Sequence, residues 1–250
     1  MASDGVEIGC WLALPSPEVA EIVAGTGFDF AIIDLEHGLI GVETATRMLM
    51  ALAATPTVPV MRVPEAAESW IKRGLDAGAA AVMVPRVEDV ATAARLAGYA
   101  TYGPEGRRGE GAGIARAARW GRDAAAYRSG WRERGGLILQ IESPAGLAVA
   151  AELAAVPGVT QMFFGPSDFS ACLDTGRDDP RVAAAAREVA RIARAAGREA
   201  GCVTFPGAGF AELADMGFSH VLDASDISVL VATLDERLAT SRLELAHAKG

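Results

Sequence analysis

Lysine is nearly missing from this chain of 250 residues: Lys72 sits in a helical stretch and Lys249 lies next to the C-terminus. Neither falls on a segment that reads as a strand, where a Schiff-base aldolase holds its nucleophile, so imine chemistry is excluded. Positive charge is short as a whole. The 23 Lys+Arg stand against 32 Asp+Glu, giving a net charge of -9 and a pI near 4.9. This argues against nucleic acid, an anionic membrane surface or a polyanionic ligand as partner. No uncharged apolar run approaches the roughly 18 residues of a membrane span. The start, Met1–Gly5, has no basic region of the kind a secretory signal needs, so a cytoplasmic protein is expected. The three cysteines, Cys10, Cys172 and Cys202, are odd in number and never form C-x-x-C. They read as buried thiols in a reducing compartment, not as a disulfide frame or zinc site. Also absent are the G-x-S-x-G elbow of a serine hydrolase, a G-x-G-x-x-G turn after the first strand, and H-x-x-H or H-E-x-x-H zinc spacing.

What is present is alanine, spread through a chain that is 51% hydrophobic, and a rhythm. Short apolar runs read as strands at Ile8–Leu14, Phe28–Asp34, Val58–Arg62, Ala81–Pro85, Leu137–Glu142, Gln161–Gly165, Ala200–Thr204 and His220–Asp223. Helical patterns lie between them at Pro17–Ala24, Val42–Ala54, Glu68–Asp76, Val90–Ala97, Pro180–Ala196 and Ala208–Met216. Gly25, Gly78, Gly98, Gly197 and Gly217 stand where helices should stop. About eight β-then-α units in a single domain spanning residues 1–250 predict a (β/α)8 TIM barrel. A doubly wound sheet is the structural alternative, with fewer strands and a Gly-rich first turn. One connection breaks the rhythm. From Tyr99 to Gly136 there is no strong strand signal, only a Gly/Arg-rich run and a helix expected over Arg116–Arg128; a connection this long is usually functional or mobile. The tail Ile227–Lys249 reads as an amphipathic helix longer than one barrel can cover, which predicts packing on a neighbouring subunit.

In a barrel, catalytic groups belong at the C-terminal strand ends, and the unusual residues fall there. The second strand ends in Asp34-Leu35-Glu36-His37, the third in Arg62, the fifth in Gln140-Ile141-Glu142, and the sixth runs into Gly165-Pro166-Ser167-Asp168. The period of two puts Gln140 and Glu142 on one face. A buried Glu without a partner costs several kcal/mol, so Glu142 should have a cation nearby, the bland reading being a rim salt bridge. Ser167 and Asp168 are also ordinary N-cap residues. Together, however, Glu142 and Asp168 make a hard oxygen site suited to Mg2+ or Mn2+. His37 could act as a base if a carboxylate held its other nitrogen. Arg62 could grip a carboxylate or enolate oxygen, or only pair with an acid. Asp34 could orient His37 or a metal-bound water, or cap the following turn. Arg107 and Arg108 read as a solvated loop more readily than as a clamp over a substrate acid group.

These segments resemble the HpcH/HpaI family of metal-dependent pyruvate aldolases along nearly the whole chain. The resemblance runs through Gly27-Phe28-Asp29-Phe30, Asp34-x-Glu36-His37, Val60-Met61-Arg62, Leu75-Asp76-Ala77-Gly78-Ala79, Val84-Pro85, Tyr102-Gly103-Pro104 to Arg108-Gly109, Arg116-Ala117 to Arg119-Trp120, Gln140-Ile141-Glu142-Ser143 and Phe164-Gly165-Pro166-Ser167-Asp168. It implies a class II aldolase that cleaves or forms 4-hydroxy-2-oxo acids, with pyruvate and an aldehyde as its small-molecule partners. It implies Glu142 and Asp168 as ligands of Mg2+, Mn2+ or Co2+ with Gln140 beside them, and Arg62 on the pyruvate oxygens. It further implies amides around Gly165, Pro166 and Ser167 for the carboxylate, His37 as base, Asp76 as its acidic partner from an adjacent subunit, and a hexamer built as a trimer of dimers. Citrate-lyase-like and malyl-CoA-like lyases share the fold and metal site and are the enzymatic alternative; a catalytically silent barrel is the other. Leu35, the Gly38-Leu39-Ile40-Gly41 turn and the Leu222–Asp226 segment depart from the family pattern on the side of the acceptor aldehyde.

Overall fold

A computed structural model describes residues 5–131 and 136–248; Met1–Asp4, Lys249, Gly250 and the last part of the long connection lie outside them. Eight strands, β1 Glu7–Leu12, β2 Phe30–Asp34, β3 Val58–Arg62, β4 Ala81–Val84, β5 Gly136–Ile141, β6 Val159–Phe164, β7 Glu199–Val203 and β8 His220–Ser225, pair in chain order, all parallel, and β8 closes on β1. The expected (β/α)8 barrel is therefore the fold.

The two-residue alternation of each strand divides its side chains between two cores. Phe30, Ile32, Val60, Met83, Ile138, Phe163 and Leu222 fill the barrel interior. Their neighbours Ala31, Ile33, Met61, Val82, Val84, Leu137, Leu139, Ile141, Met162 and Phe164 pack outward under the helices. Two of the inward aromatics lie across from glycines. Phe30 is in register with Gly9 and Phe163 with Gly201, and a Cβ on either glycine would collide with the facing ring. The parity that sends Ile32, Val60 and Ile138 inward also sends Asp34, Arg62, Gln140 and Glu142 inward, one step nearer the C-terminal mouth.

Helices follow the strands at Pro17–Gly25, Val42–Leu52, Glu68–Ala77, Val90–Ala100, Pro180–Ala195, Phe210–Met216 and Asp226–His247. Three shorter ones, Pro144–Ala148, Ala150–Ala155 and Pro166–Cys172, were not visible in the sequence pattern. The helix expected over Arg116–Arg128 is instead a 3-10 turn, Arg116–Ala118, and a separate helix, Ala124–Ser129. Between them Arg119, Trp120 and Gly121 all take positive φ, which no α-helix tolerates. Gly78 and Gly217 cap their helices in the left-handed region as expected, but Gly25 is itself the last helical residue and Gly98 lies within its helix. β1 stops at Leu12 rather than Leu14, with the amides of Ala13 and Leu14 donating to the buried Asp226 carboxylate at 3.0 and 2.9 Å. Cys10 and Cys202 are buried, and burial raises both thiols, Cys10 to about 12; Cys172 is exposed, contrary to the sequence reading.

Of the final helix only Asp226 is buried. Ile227, Leu230, Val231, Leu234, Leu238 and Leu245 are 42–59% exposed, and their spacing places them along one side of the helix.

Candidate active site

The parallel register of β2 and β3 sets Asp34 directly beside Arg62. Arg62 Nε donates to Asp34 Oδ1 at 2.9 Å and Nη2 to Oδ2 at 2.7 Å, a two-point fork with both residues about 5% exposed. Burial alone would raise the Asp34 carboxyl. Arg62 and the backbone N–H groups of Glu36 and His37, at 3.0 and 3.3 Å, outweigh that and hold it below its usual range. The guanidinium lies 4.5 Å over the Trp11 ring, and its Nη1 is 3.0 Å from Glu36 Oε2, off the line of a hydrogen bond. Arg62 is thus fixed on three sides. Asp34 does not reach the imidazole of His37; what it orients is the turn that carries it.

Across the barrel mouth, Gly165 donates its N–H to Ile141 O at 3.0 Å and brings β6 tight against β5. A Cβ at Gly165 would sit 2.8 Å from Glu142 Oε2, 2.9 Å from Glu142 Cβ and 3.0 Å from Gln140 Nε2. Glycine is what allows these two side chains to meet there. Glu142 Oε2 and Gln140 Oε1 are buried without a hydrogen-bond partner. Burial first, then the charges of Asp168 and Glu36, push the Glu142 carboxyl up to about 7, against the pull of Arg62 and the Arg86 N–H. Arg86 itself follows β4 with φ +52. Glu36 is also raised, by burial and then by the carboxylates of Asp34 and Asp168, although Arg62 opposes this.

Two orphaned buried oxygens beside a second carboxylate, Asp168, form an all-oxygen donor set that fits a hard divalent cation. Among the described residues no group of three His, Cys, Asp or Glu side chains could hold a metal ion, so Glu142 and Asp168 would need water or substrate to complete a coordination shell. The fork of Arg62, His37, Gln140 and the stretch Gly165–Asp168 line one cavity of about 180 Å3, together with Trp11, Phe163 and Val203. The Gly165 amide is spent on β5 and Pro166 has none. Ser167 and Asp168, in the first turn of the helix that follows, are left to offer N–H groups. His37 is largely exposed, and its Nε2 is 3.8 Å from Glu36 Oε2. A second cavity, of about 230 Å3, opens at the other end of the barrel; it shares only Phe163 with the first and holds none of the orphaned oxygens.

A profile of the HpcH/HpaI aldolase/citrate lyase family matches residues 7–227. The chain belongs to that family. Over 92% of this chain and 91% of the relative, it is 38% identical to a protein of Chromohalobacter salexigens named hydroxypyruvate/pyruvate aldolase. Over 96% and 91% it is 35% identical to one of Klebsiella pneumoniae named 2-keto-3-deoxy-L-rhamnonate aldolase. The crystal structure of an HpcH/HpaI family protein from Burkholderia cenocepacia superposes with a TM-score of 0.87 at 32% identity, covering 96% of both chains.

For a member of this family, most of the strand-end residues singled out in the sequence lie around one cavity, and Asp76 does not. It stands on the helix Glu68–Ala77, where Arg108 Nη2 donates to its Oδ1 at 2.6 Å. Arg108 is the second departure: Arg107 is exposed as expected of a solvated loop, whereas the Arg108 side chain is completely buried. The sequence reading also passed over Trp11, whose inward parity on β1 was the available signal, and gave no role to Glu36.

Proposed function

We propose that this chain is a class II aldolase that cleaves and forms 4-hydroxy-2-oxo acids, with pyruvate or a related 2-oxo acid as one product and an aldehyde as the other. The observation that carries this is the meeting of the Glu142 and Gln140 side chains at Gly165, where Gln140 and Asp168 line one cavity with the locked guanidinium of Arg62 and His37. Glu142 and Asp168 would hold a divalent cation, which when bound supplies positive charge against a developing enolate oxygen. The remaining work falls to the chain's own groups. Arg62, with its second Nη protons still available, binds and orients the 2-oxo acid oxygens. The Ser167 and Asp168 amides receive the carboxylate. For cleavage, His37 takes the proton of the C4 hydroxyl, the C3–C4 bond breaks, and its electron pair passes to the C2 oxygen as the aldehyde departs; protonation at C3 then yields the 2-oxo acid.

His37 has no carboxylate of its own chain within hydrogen-bonding distance of its ring among the described residues. Asp76 of a second copy is the acid that completes it in this reading. The apolar side of the helix Asp226–His247 supports the same assembly, because it needs a second barrel to cover it. Trimers of dimers satisfy both requirements. The names of the sequence relatives favour aldol chemistry over CoA-ester cleavage.

The test is to incubate the enzyme with pyruvate and a panel of aldehydes. Pyruvate consumption should stop with EDTA and return with Mg2+, Mn2+ or Co2+, with Lys72→Ala as active as the parent and borohydride leaving the protein unlabelled. Borohydride trapping of pyruvate on Lys72, with no effect of chelators, would overturn the metal assignment.

A further inference from the structure

Arg108 occupies a place that packing alone does not explain. It lies in the long connection between β4 and β5, and its guanidinium carbon is 4.5 Å from the ring centres of both Tyr102 and Trp131 and 5.4 Å from that of Tyr127. Inside this aromatic cage, Nη2 makes two hydrogen bonds, to Asp76 Oδ1 at 2.6 Å and to the Tyr127 hydroxyl at 2.9 Å, and that hydroxyl donates onward to Leu75 O at 3.1 Å. Nε and Nη1 are buried with no hydrogen-bond partner among the described residues. A guanidinium with two unanswered nitrogens is an expensive filler, and an apolar side chain of similar volume would serve a purely structural cage better. Among the described residues its one ionic partner is Asp76.

Asp76 has a complementary peculiarity. Its side chain is 25% exposed, Oδ1 is pinned, and Oδ2 faces the backbone of Gly111, where a Cβ would come within 3.1 Å. The carboxylate is therefore held from behind, and one oxygen is left toward a glycine-rich surface away from its own barrel mouth. An arginine cannot lose its proton to this acid, and its planar fork can lie flat between rings while aiming one N–H in plane. A lysine would bring the charge without the planar aim.

We infer that Arg108 is a positioning residue: it holds Asp76 fixed in orientation so that its second oxygen meets the His37 ring of a second copy of the chain. This rests on the reading of His37 as base and Asp76 as its partner, and it adds the group that makes Asp76 competent. The Tyr102–Tyr127–Trp131 cage is then the device that carries a cation to the back of that dyad without exposing it to water.

The experiment compares Arg108→Met, Arg108→Lys, Asp76→Asn and the double variant Arg108→Met/Asp76→Asn by kcat, KM, Tm and assembly state. Arg108→Met, which fills the cage without charge, should assemble and keep KM for the 2-oxo acid within about twofold. Its kcat should fall on the order of tenfold to a hundredfold, as in Asp76→Asn. The double variant should fall no further than the worse single one, because both remove the same interaction. Arg108→Lys, which keeps charge but not aim, should lose kcat by a smaller factor at unchanged KM. If Asp76→Asn turns over like the parent, the dyad reading itself fails. If Asp76→Asn is impaired while assembled Arg108→Met keeps parental kcat, or the two losses multiply, the role given to Arg108 is wrong and the dyad stands. Should Arg108→Met not assemble, parental kcat in Arg108→Lys overturns the inference by itself.

Discussion

Replacing Arg62 probes both the stability and the chemistry of the barrel mouth. Its guanidinium is the only cation paired to Asp34 among the described residues, through contacts of 2.9 and 2.7 Å in a site about 5% exposed. Arg62→Met strands that carboxylate. Breaking a buried pair from one side costs about 3–5 kcal/mol. The Glu36 and His37 amides still reach Asp34, so the lower end is expected, about 3 kcal/mol, or roughly 6–12 °C in Tm for a chain of this size. The pH dependence has a definite sign. In the parent, Asp34 is held below its ordinary 3.8, so the pair's contribution is complete at neutral pH and is lost only as pH falls through that lowered value. In Arg62→Met, burial dominates and raises Asp34, so the penalty is present above the raised value and fades on acidification. The gap in Tm between parent and variant should therefore be widest near pH 7, narrow toward pH 4 as the variant's penalty fades, and close only below the lowered Asp34 value. Arg62→Lys keeps a charge but not the fork, and should keep most stability while losing activity on the order of a hundredfold, as when an oxyanion donor is removed. Scanning calorimetry across pH and 2-oxo acid turnover decide the matter. Unchanged Tm in Arg62→Met would show that Asp34 does not depend on the pair, and near-parental turnover in Arg62→Lys would remove the guanidinium fork from the chemistry.

Because the Glu142 carboxyl of the metal-free chain is pushed up to about 7, cation binding must displace its proton. Mn2+ affinity should rise about tenfold between pH 6 and pH 8, and calorimetry in buffers of different ionisation heat should show the proton released; affinity flat across that range would contradict it. A raised carboxyl also destabilises the metal-free fold above its own pKa and not below about 4.5, so Glu142→Gln should be more stable than the metal-free parent at pH 8, and the two should converge near pH 5. Gly165→Ala drives a methyl into Glu142 and Gln140 at 2.8–3.0 Å and should cost roughly 1–3 kcal/mol; isothermal titration should find its Mn2+ binding weakened as well, and parental stability with parental affinity would show that the two strands do not need their close approach. Leu234→Asp with Leu238→Asp on the exposed helix stripe should yield smaller species in light scattering with impaired turnover, whereas an intact assembly would place the subunit contact elsewhere.

Barrel class and most of the mouth were legible from residue order because both follow from local rules. Alternation of period two put Gln140 and Glu142 on one face, and the barrel rule placed Asp34 and Arg62 at neighbouring strand ends; the register of β2 and β3 sets those two side by side. Boundaries that depend on distant partners were not legible. β1 ends early because its following amides turn to Asp226, more than 200 residues away. The helix expected over Arg116–Arg128 breaks at three left-handed residues that its alanine-rich composition does not announce. Arg107 and Arg108 are neighbours of one type in one loop, yet one is in solvent and the other is inside an aromatic cage. Residue type sets what a side chain can do; its surroundings set the cost of putting it there. The alternation of strands and helices and the placing of acids, arginine and histidine at strand ends are properties of near neighbours and can be read from residue order. That Glu142 and Gln140 carry unpartnered oxygens, that Arg62 is locked against Asp34 and Trp11, and that Arg108 pins Asp76 could not be read from near neighbours, because desolvation and pairing depend on groups that meet only when the sheet closes.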